Sequence, residues 1–216
     1  IMAPETEKAN LPDEATVEQY FAKVGAEELT AYEDKVSDLP LLESEPKKGS
    51  IAEEATVSAI DVKTLTLSNG VKVVLKPTTF KNDQILIRAF SPGGTSLYSD
   101  TDFYTASNAA ALVNSSGLGQ LNTIELQKYL TGKNVNISPF IGERSEGISG
   151  SSDKEGLQTA FEMIYGYFTA PRIEDDVFQS VINRSVSMME NRENNPSFVF
   201  SKAIQHSLYG DNIRRI

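Results

Sequence analysis

The 216-residue chain contains no cysteine. Disulfides and thiolate metal sites are therefore excluded, and cysteine usage says nothing of the redox compartment. Histidine is almost absent as well: His206 stands alone. Catalytic zinc is usually held by two or three histidines, or by histidine with cysteine or carboxylate, and this chain cannot assemble such a set. No uncharged apolar run approaches the roughly 18 to 20 residues that span a bilayer, so no transmembrane segment is expected. A basic excess is missing too. The net charge is −10, and nucleic acid is not an expected partner because phosphate binding needs a basic footprint.

What is present is an ordinary globular composition, 39% hydrophobic and 23% charged, with length enough for one sizeable core plus an appendage. The charge is unevenly spread. Residues 1–60 hold 14 Asp and Glu against 5 Lys and Arg, a balance of −9, which leaves 16 against 15, or −1, for the remainder. The first quarter therefore reads as a solvated acidic connector. Ile1 ahead of Met2, with no basic or apolar leader region, does not read as a signal peptide. The last residues, Arg214-Arg215-Ile216, follow soon after a Tyr209-Gly210-Asp211-Asn212 turn. The sequence is expected to be a piece of something longer.

Along the chain, Asp13 is a good N-cap for a short helix with Val17, Tyr20, Phe21 and Val24 on one face, ending at Gly25. Ala26 to Lys48 is acidic, carries Pro40 and Pro46 around Leu39, Leu41 and Leu42, and reads as an extended tether. A boundary near residue 60 divides a connector, 1–60, from an α+β domain, 61–216. From Val62 the period becomes two. Val62–Leu67, Asn69-Gly70 and Val71–Lys76 predict a hairpin with a type I′ turn. Gln84–Phe90 predicts a third strand, with Ile85 and Ile87 on one face, Leu86 and Phe90 on the other, and both faces buried.

The stretch Tyr104–Gly119 reads as a small-residue helix closed by glycine. In a strand-turn-helix arrangement such a helix would present chemistry. Ser107, Asn108, Ala110 and Ala111 occupy the turn where a hydrolase would carry ligands or a base, and alanine and serine make poor Lewis bases. After it, Asn122 or Thr123 caps a helix through Ile124, Leu126, Tyr129 and Leu130 that stops at Gly132. Strands follow at Val135–Ile141 and about 143–150, then a helix capped by Asp153, a helix over about 174–192, and a last helix begun by Pro196. The order predicts a largely antiparallel sheet with helices packed on one face.

Other chemistry finds little support. His206 shares its helix with Ala203 and Leu208 and reads as packing or surface; Asp100 and Asp102 lack the spacing of a calcium loop and read as turn and capping residues. Ser107 as a nucleophile would need a base within hydrogen-bond reach, and the only histidine lies in a different helix. The glycines of Ser91-Pro92-Gly93-Gly94 and of Gly147–Ser152 come without the lysine of a phosphate-cradling loop.

Leu67-Ser68-Asn69-Gly70-Val71-Lys72-Val73-Val74-Leu75-Lys76-Pro77, the small-residue helix, and Phe168-Thr169-Ala170-Pro171-Arg172 resemble a domain of the pitrilysin/insulinase zinc peptidases, over about residues 61–212. Active domains of that family carry an inverted zinc motif, HxxEH, on the helix after the third strand, two histidines binding zinc and the glutamate serving as base. Laid on this sequence, the histidine positions fall on Ser107 and Ala111 and the glutamate on Ala110, while the family's third ligand corresponds to Glu190, ahead of Asn194-Asn195-Pro196.

The resemblance thus implies a domain with no catalytic, cofactor-binding or metal residues of its own, Glu190 not being expected to bind, and zinc held in the catalytic domain of a larger parent. It is particularly similar to large bacterial zinc proteases with four domains in one chain. It would be the third of four, opening the C-terminal half, with the helix near Val17 and the acidic tether as the end of the preceding half and the hinge. The implied function is that of a chamber wall docking on the catalytic half of a peptide-hydrolysing enzyme, with the other domains and the peptide substrate as partners. The alternative is a degenerate adaptor or assembly module. A periplasmic or envelope address is suggested by the resemblance alone.

Overall fold

A computed structural model describes residues 11–28, 30 and 39–215. The two ends of the chain, and residues 29 and 31–38 of the acidic connector, lie outside the described residues. The chain divides into two compact units, 1–35 and 36–216. In the first, α1 (Glu14–Ala26) starts where the Asp13 side chain accepts a hydrogen bond from the Thr16 amide at 2.8 Å. That bond satisfies one of the donors left open at a helix start. No residue of α1 is buried, and Tyr20, Phe21 and Val24 are exposed on its apolar stripe.

The second unit is α+β. Strands β1 (Ile51–Val57), β2 (Val62–Leu67) and β3 (Lys72–Leu75) form one antiparallel sheet in that order. Strands β4 (Ile85–Pro92), β5 (Val135–Ile141) and β6 (Ser145–Ser152) form another with β6 in the middle. The helices are α2 (Phe103–Ser115), α3 (Thr123–Leu130), α4 (Leu157–Thr169), α5 (Asp175–Arg192) and α6 (Pro196–Tyr209).

Four local expectations are corrected. No strand is expected before Val62, whereas one begins at Ile51. All its residues are exposed, and Glu53-Glu54 reads as solvent in a sequence; paired to β2 opposite Leu65, Glu54 reaches diagonally to Lys63, its Oε1 2.7 Å from Lys63 Nζ. The β2–β3 connection is not a type I′ turn, because Asn69 does not take a positive φ; Gly70 alone does, at 86°. Leu67 exchanges bonds with Val71 and Gly70, its amide donating to Val71 O and its carbonyl accepting from Gly70 N, both at 2.8 Å. The loop is thus three residues long with glycine in the left-handed slot.

On β4, Leu86 and Phe90 are 78% and 70% exposed, against the expectation of two buried faces. Only the Ile87 side packs on the core. Finally, Asp153 does not cap α4 itself. Its Oδ1 accepts from Gly156 N at 2.6 Å, closing the turn before the helix, and Gly156 occupies the cap position.

The core lies between Ile87, Ile137 and Ile148 of the second sheet and Leu126, Ala160, Met163 and Tyr167 of α3 and α4, with Leu118 and Leu121 from the α2–α3 connection. Leu41, from the segment read as tether, is 2% exposed and belongs to this core. Burying a leucine contributes roughly 1.5–3 kcal/mol. By contrast α5 and α6 bury no residue, and Phe178, Ile182, Phe200 and Leu208 leave apolar surface open along them.

Candidate functional site

The site to be judged is the helix that follows β4. Its approach is built by the turn Gly93 to Leu97, which is sewn to the β5–β6 hairpin. Gly93 N donates to Arg144 O, Thr95 N to Gly142 O and Ser96 N to Glu143 O, each at 2.9 Å. Gly94 N donates to Glu146 Oε2 at 3.0 Å. From the far end of the chain Arg214 closes the same turn: its Nε reaches Asp100 Oδ1 at 2.7 Å, its Nη1 and Nη2 reach Thr95 O and Tyr98 O at 3.0 and 2.6 Å, and its guanidinium lies 5.1 Å from the centre of the Phe103 ring. Ser99 Oγ donates to Asp102 Oδ2 at 2.8 Å. Asp100 and Asp102 therefore serve a turn and an ion pair. Nothing local in the sequence marks Arg214 for this role, because its partners are more than a hundred residues away.

Along α2 the polar side chains fold back on their own helix. Ser107 Oγ donates to Phe103 O and Asn108 Nδ2 to Tyr104 O, both at 2.7 Å; Ser115 and Ser116 do the same to Ala111 O and Leu112 O at 2.9 and 3.0 Å. Such back-bonding is the ordinary fate of serine and asparagine inside a helix. Ser107 and Ala110 are half-buried and Ala111 is exposed. The helix packs on β5 and against α5, which carries Glu190, itself exposed.

Chemically this surface offers one hydroxyl, already donating, and two methyl groups. It does not fit a zinc ion, which requires imidazole, thiolate or carboxylate donors. Among the described residues no group of three or more His, Cys, Asp or Glu side chains is arranged to hold a metal. His206 is well exposed and its Nδ1 lies 3.4 Å from Asp211 Oδ1.

Beneath α2, the Tyr167 hydroxyl donates to Asn114 Oδ1 at 3.0 Å, and burial raises the pKa of its phenol above the ordinary value of 10.0. A raised folded-state pKa favours the neutral form, so its contribution to stability is fully present below pH 10 and is lost as the pH climbs through the higher folded value. Urea midpoints measured from pH 9 to 11.5 should fall more steeply for the unaltered chain than for Tyr167→Phe; parallel curves would show that the phenol does not contribute.

At the opposite end of the second sheet an open hollow of about 430 Å³ is lined by Lys81, Asp83, Gln84, Asn136 and Ser151, among others. Asp153 at its edge is engaged by the Gly156 amide and by Asn134, which hold its carboxyl below the usual range. Its two lysines and two aspartates offset one another and select no ligand class.

No protein-family model matches the chain. It is 24% identical over 172 residues to the "Zinc protease PQQL-like" protein of Arabidopsis thaliana and 23% identical over 183 residues to the "Probable zinc protease PqqL" of Escherichia coli K12. The solved structure of the periplasmic protease PqqL from Escherichia coli superposes with a TM-score of 0.69 at 20% identity, covering 97% of this chain. The chain is homologous to the PqqL zinc proteases. The ferredoxin protease FusC, solved with Arabidopsis ferredoxin, superposes equally well, with a TM-score of 0.69 at 21% identity over 91% of this chain. The α+β architecture read from the sequence is thus the one PqqL adopts over the matching region. The chain spans 16% and 20% of the length of the two curated PqqL relatives, 23% of the solved PqqL chain and 22% of the solved FusC chain.

Proposed function

We propose that the chain is a non-catalytic domain of a larger zinc metallopeptidase, contributing a wall of the substrate chamber and docking on the catalytic half. The observation that carries this reading is helix α2: at the positions where the family's motif needs two histidines and a glutamate stand Ser107, Ala111 and Ala110, and the Ser107 hydroxyl is bonded to Phe103 O. Relatedness to PqqL supports a peptidase-family parent. Zinc would be supplied by another domain, and this domain would help enclose the peptide and limit its size by excluding water and bulk.

The open apolar faces of α5 and α6 support the docking role, since patches of that kind mark interaction surfaces. The helix near Val17 and the acidic connector would then belong to the passage from a preceding half, and the fold proper would be the third of four domains.

The test compares the 216-residue chain with the longer protein after metal removal and zinc replacement. The short chain is expected to take up no stoichiometric zinc and to hydrolyse no peptide, whereas the longer protein does both, and Glu190→Gln in the longer protein should leave kcat/KM nearly unchanged. Zinc uptake with hydrolysis by the short chain, or a collapse of activity with Glu190→Gln, would overturn the reading. Absence of peptidase activity from the longer protein as well would point instead to a degenerate adaptor or assembly module.

A further inference from the structure

We propose that the outer face of the β4–β6–β5 sheet is a docking surface for an extended peptide that carries a carboxylate between apolar side chains. Residues directly opposite one another on paired strands share a face of the sheet. The register therefore sets Leu86 with Ser151, Arg88 with Ser149 and Ser138, and Phe90 with Gly147 and Phe140, all on the side turned away from Ile87, Ile137 and Ile148. On this side the middle strand bears only glycine and serine, while the outer strands bear Leu86, Arg88, Phe90 and Phe140. The face is a trough with β6 as its floor.

Between Phe90 and Phe140 that floor is bare main chain. A Cβ on Gly147 would stand 2.0 Å from Ala89 O, so no side chain fits there. The two phenylalanine positions lie two strand spacings apart, roughly 10 Å, which leaves room for one extended chain. From β4 the Arg88 side chain leans over the floor, its guanidinium 5.7 Å from the centre of the Phe140 ring on β5.

Charge and exposure select the occupant. Leu86 and Phe90 stand largely in solvent, and apolar surface grouped in this way marks interaction sites. Arg88 is the one ionised side chain among the outward residues of the three strands. Among the described residues no carboxylate pairs with it, and its contact is the Phe140 ring. A ring takes up the face of a guanidinium and leaves its in-plane donors free, in a fork that matches a carboxylate. The main-chain groups of β6 are already shared with β4 and β5, so the peptide is held through side chains and not as an added strand. This goes beyond the proposed function and does not depend on it, because the measurement needs neither zinc nor hydrolysis.

The probe is fluorescein-labelled Gly-Ser-Leu-Glu-Phe-Ser-Gly, with versions carrying glutamine or lysine in place of the glutamate. Anisotropy is followed on the 216-residue chain at low ionic strength, where a surface charge pair is least screened. The glutamate version should bind about three- to fivefold more tightly than the glutamine version, and the lysine version more weakly still. Arg88→Glu should reverse that order. Phe90→Ser should weaken every version about fivefold, whereas Phe200→Ser, on α6, should change none; unchanged urea midpoints show that the variants are folded. Methylating the main-chain amides of the probe's leucine and phenylalanine should cost less than about twofold, since strand addition is what depends on main-chain bonds. An order that survives Arg88→Glu, an equal loss with Phe200→Ser, failure of the methylated probe to bind, or no binding of any version would each overturn the proposal. A free chain that sediments as a dimer, loses the dimer with Arg88→Glu and binds no probe would overturn it in favour of a second copy on this face. Binding by the chain beside a longer protein that hydrolyses nothing would leave the docking surface standing while the peptidase reading falls.

Discussion

Leu118→Ala is expected to destabilise the 36–216 unit by about 3–5 kcal/mol, the upper part of the range for burying an alanine where a leucine stood. Leu118 is wholly inaccessible and sits where three parts of the fold converge. Its backbone is fixed by reciprocal hydrogen bonds with Leu121, at 2.9 and 3.0 Å, so the connection cannot readily slide into the void. On α4 the facing residue is Gly166, and a Cβ there would already stand 3.3 Å from Leu118 Cγ, which leaves no side chain to lean in and fill the space. The measurement is the urea midpoint at unchanged slope. Leu118→Met, which keeps the volume, should cost less than about 1.5 kcal/mol. A loss below 1 kcal/mol for the alanine variant would mean that the core collapses around the gap and that the packing is looser than described.

Gly94→Ala should cost a comparable amount, about 3–5 kcal/mol, a size reserved for a few identifiable faults in a fold. Gly94 has a φ of 65°, a region that asks roughly 1–2 kcal/mol of any residue with a Cβ. The larger part is contact: the Cβ would meet Gly142 O at 2.2 Å and Ser145 N at 2.9 Å, backbone atoms tied into the β5–β6 hairpin. Gly70→Ala separates the two effects. Its φ is 86° and a Cβ there meets nothing within 4 Å, so only the conformational cost of roughly 1–2 kcal/mol remains. Equal midpoints for the two variants would show that the turn from Gly93 to Leu97 moves aside at little cost.

The helices were the most legible part of the sequence because their signals are local. Asn122 with Glu125 forms a reciprocal cap, with bonds of 2.9 to 3.0 Å in both directions, and Asn195 before Pro196 starts α6 by accepting from Ser197 N at 2.9 Å. Position along the chain could also be read for the hairpin, while its turn type could not, since Asn-Gly serves either a two-residue loop or a three-residue loop with glycine last. What escaped was whatever depends on distant residues. β1 exists because β2 pairs with it, and two adjacent glutamates hide it. Leu41 looks like any leucine between prolines until its seat is known. Leu86 and Phe90 are apolar enough to be taken for core, and only the side on which the helices lie decides otherwise.

For the candidate site the residues were legible and their arrangement was not. Ser107, Ala110 and Ala111 are plain in the sequence, but that the Ser107 hydroxyl is spent on Phe103 O, and that Arg214 clasps the turn leading into α2, are facts of three-dimensional placement.

The seating of Leu41 and the pairing of β1 also bear on how this fold could be shortened. A chain begun at residue 61 would lose both at once. β2, now flanked by β1, would present a bare row of main-chain donors and acceptors, and exposed edges of that kind recruit other strands. The core would meanwhile keep a leucine-shaped hole opening directly to solvent. Such a piece would retain nearly all of the recognisable sequence and still be inclined to associate through its sheet edge.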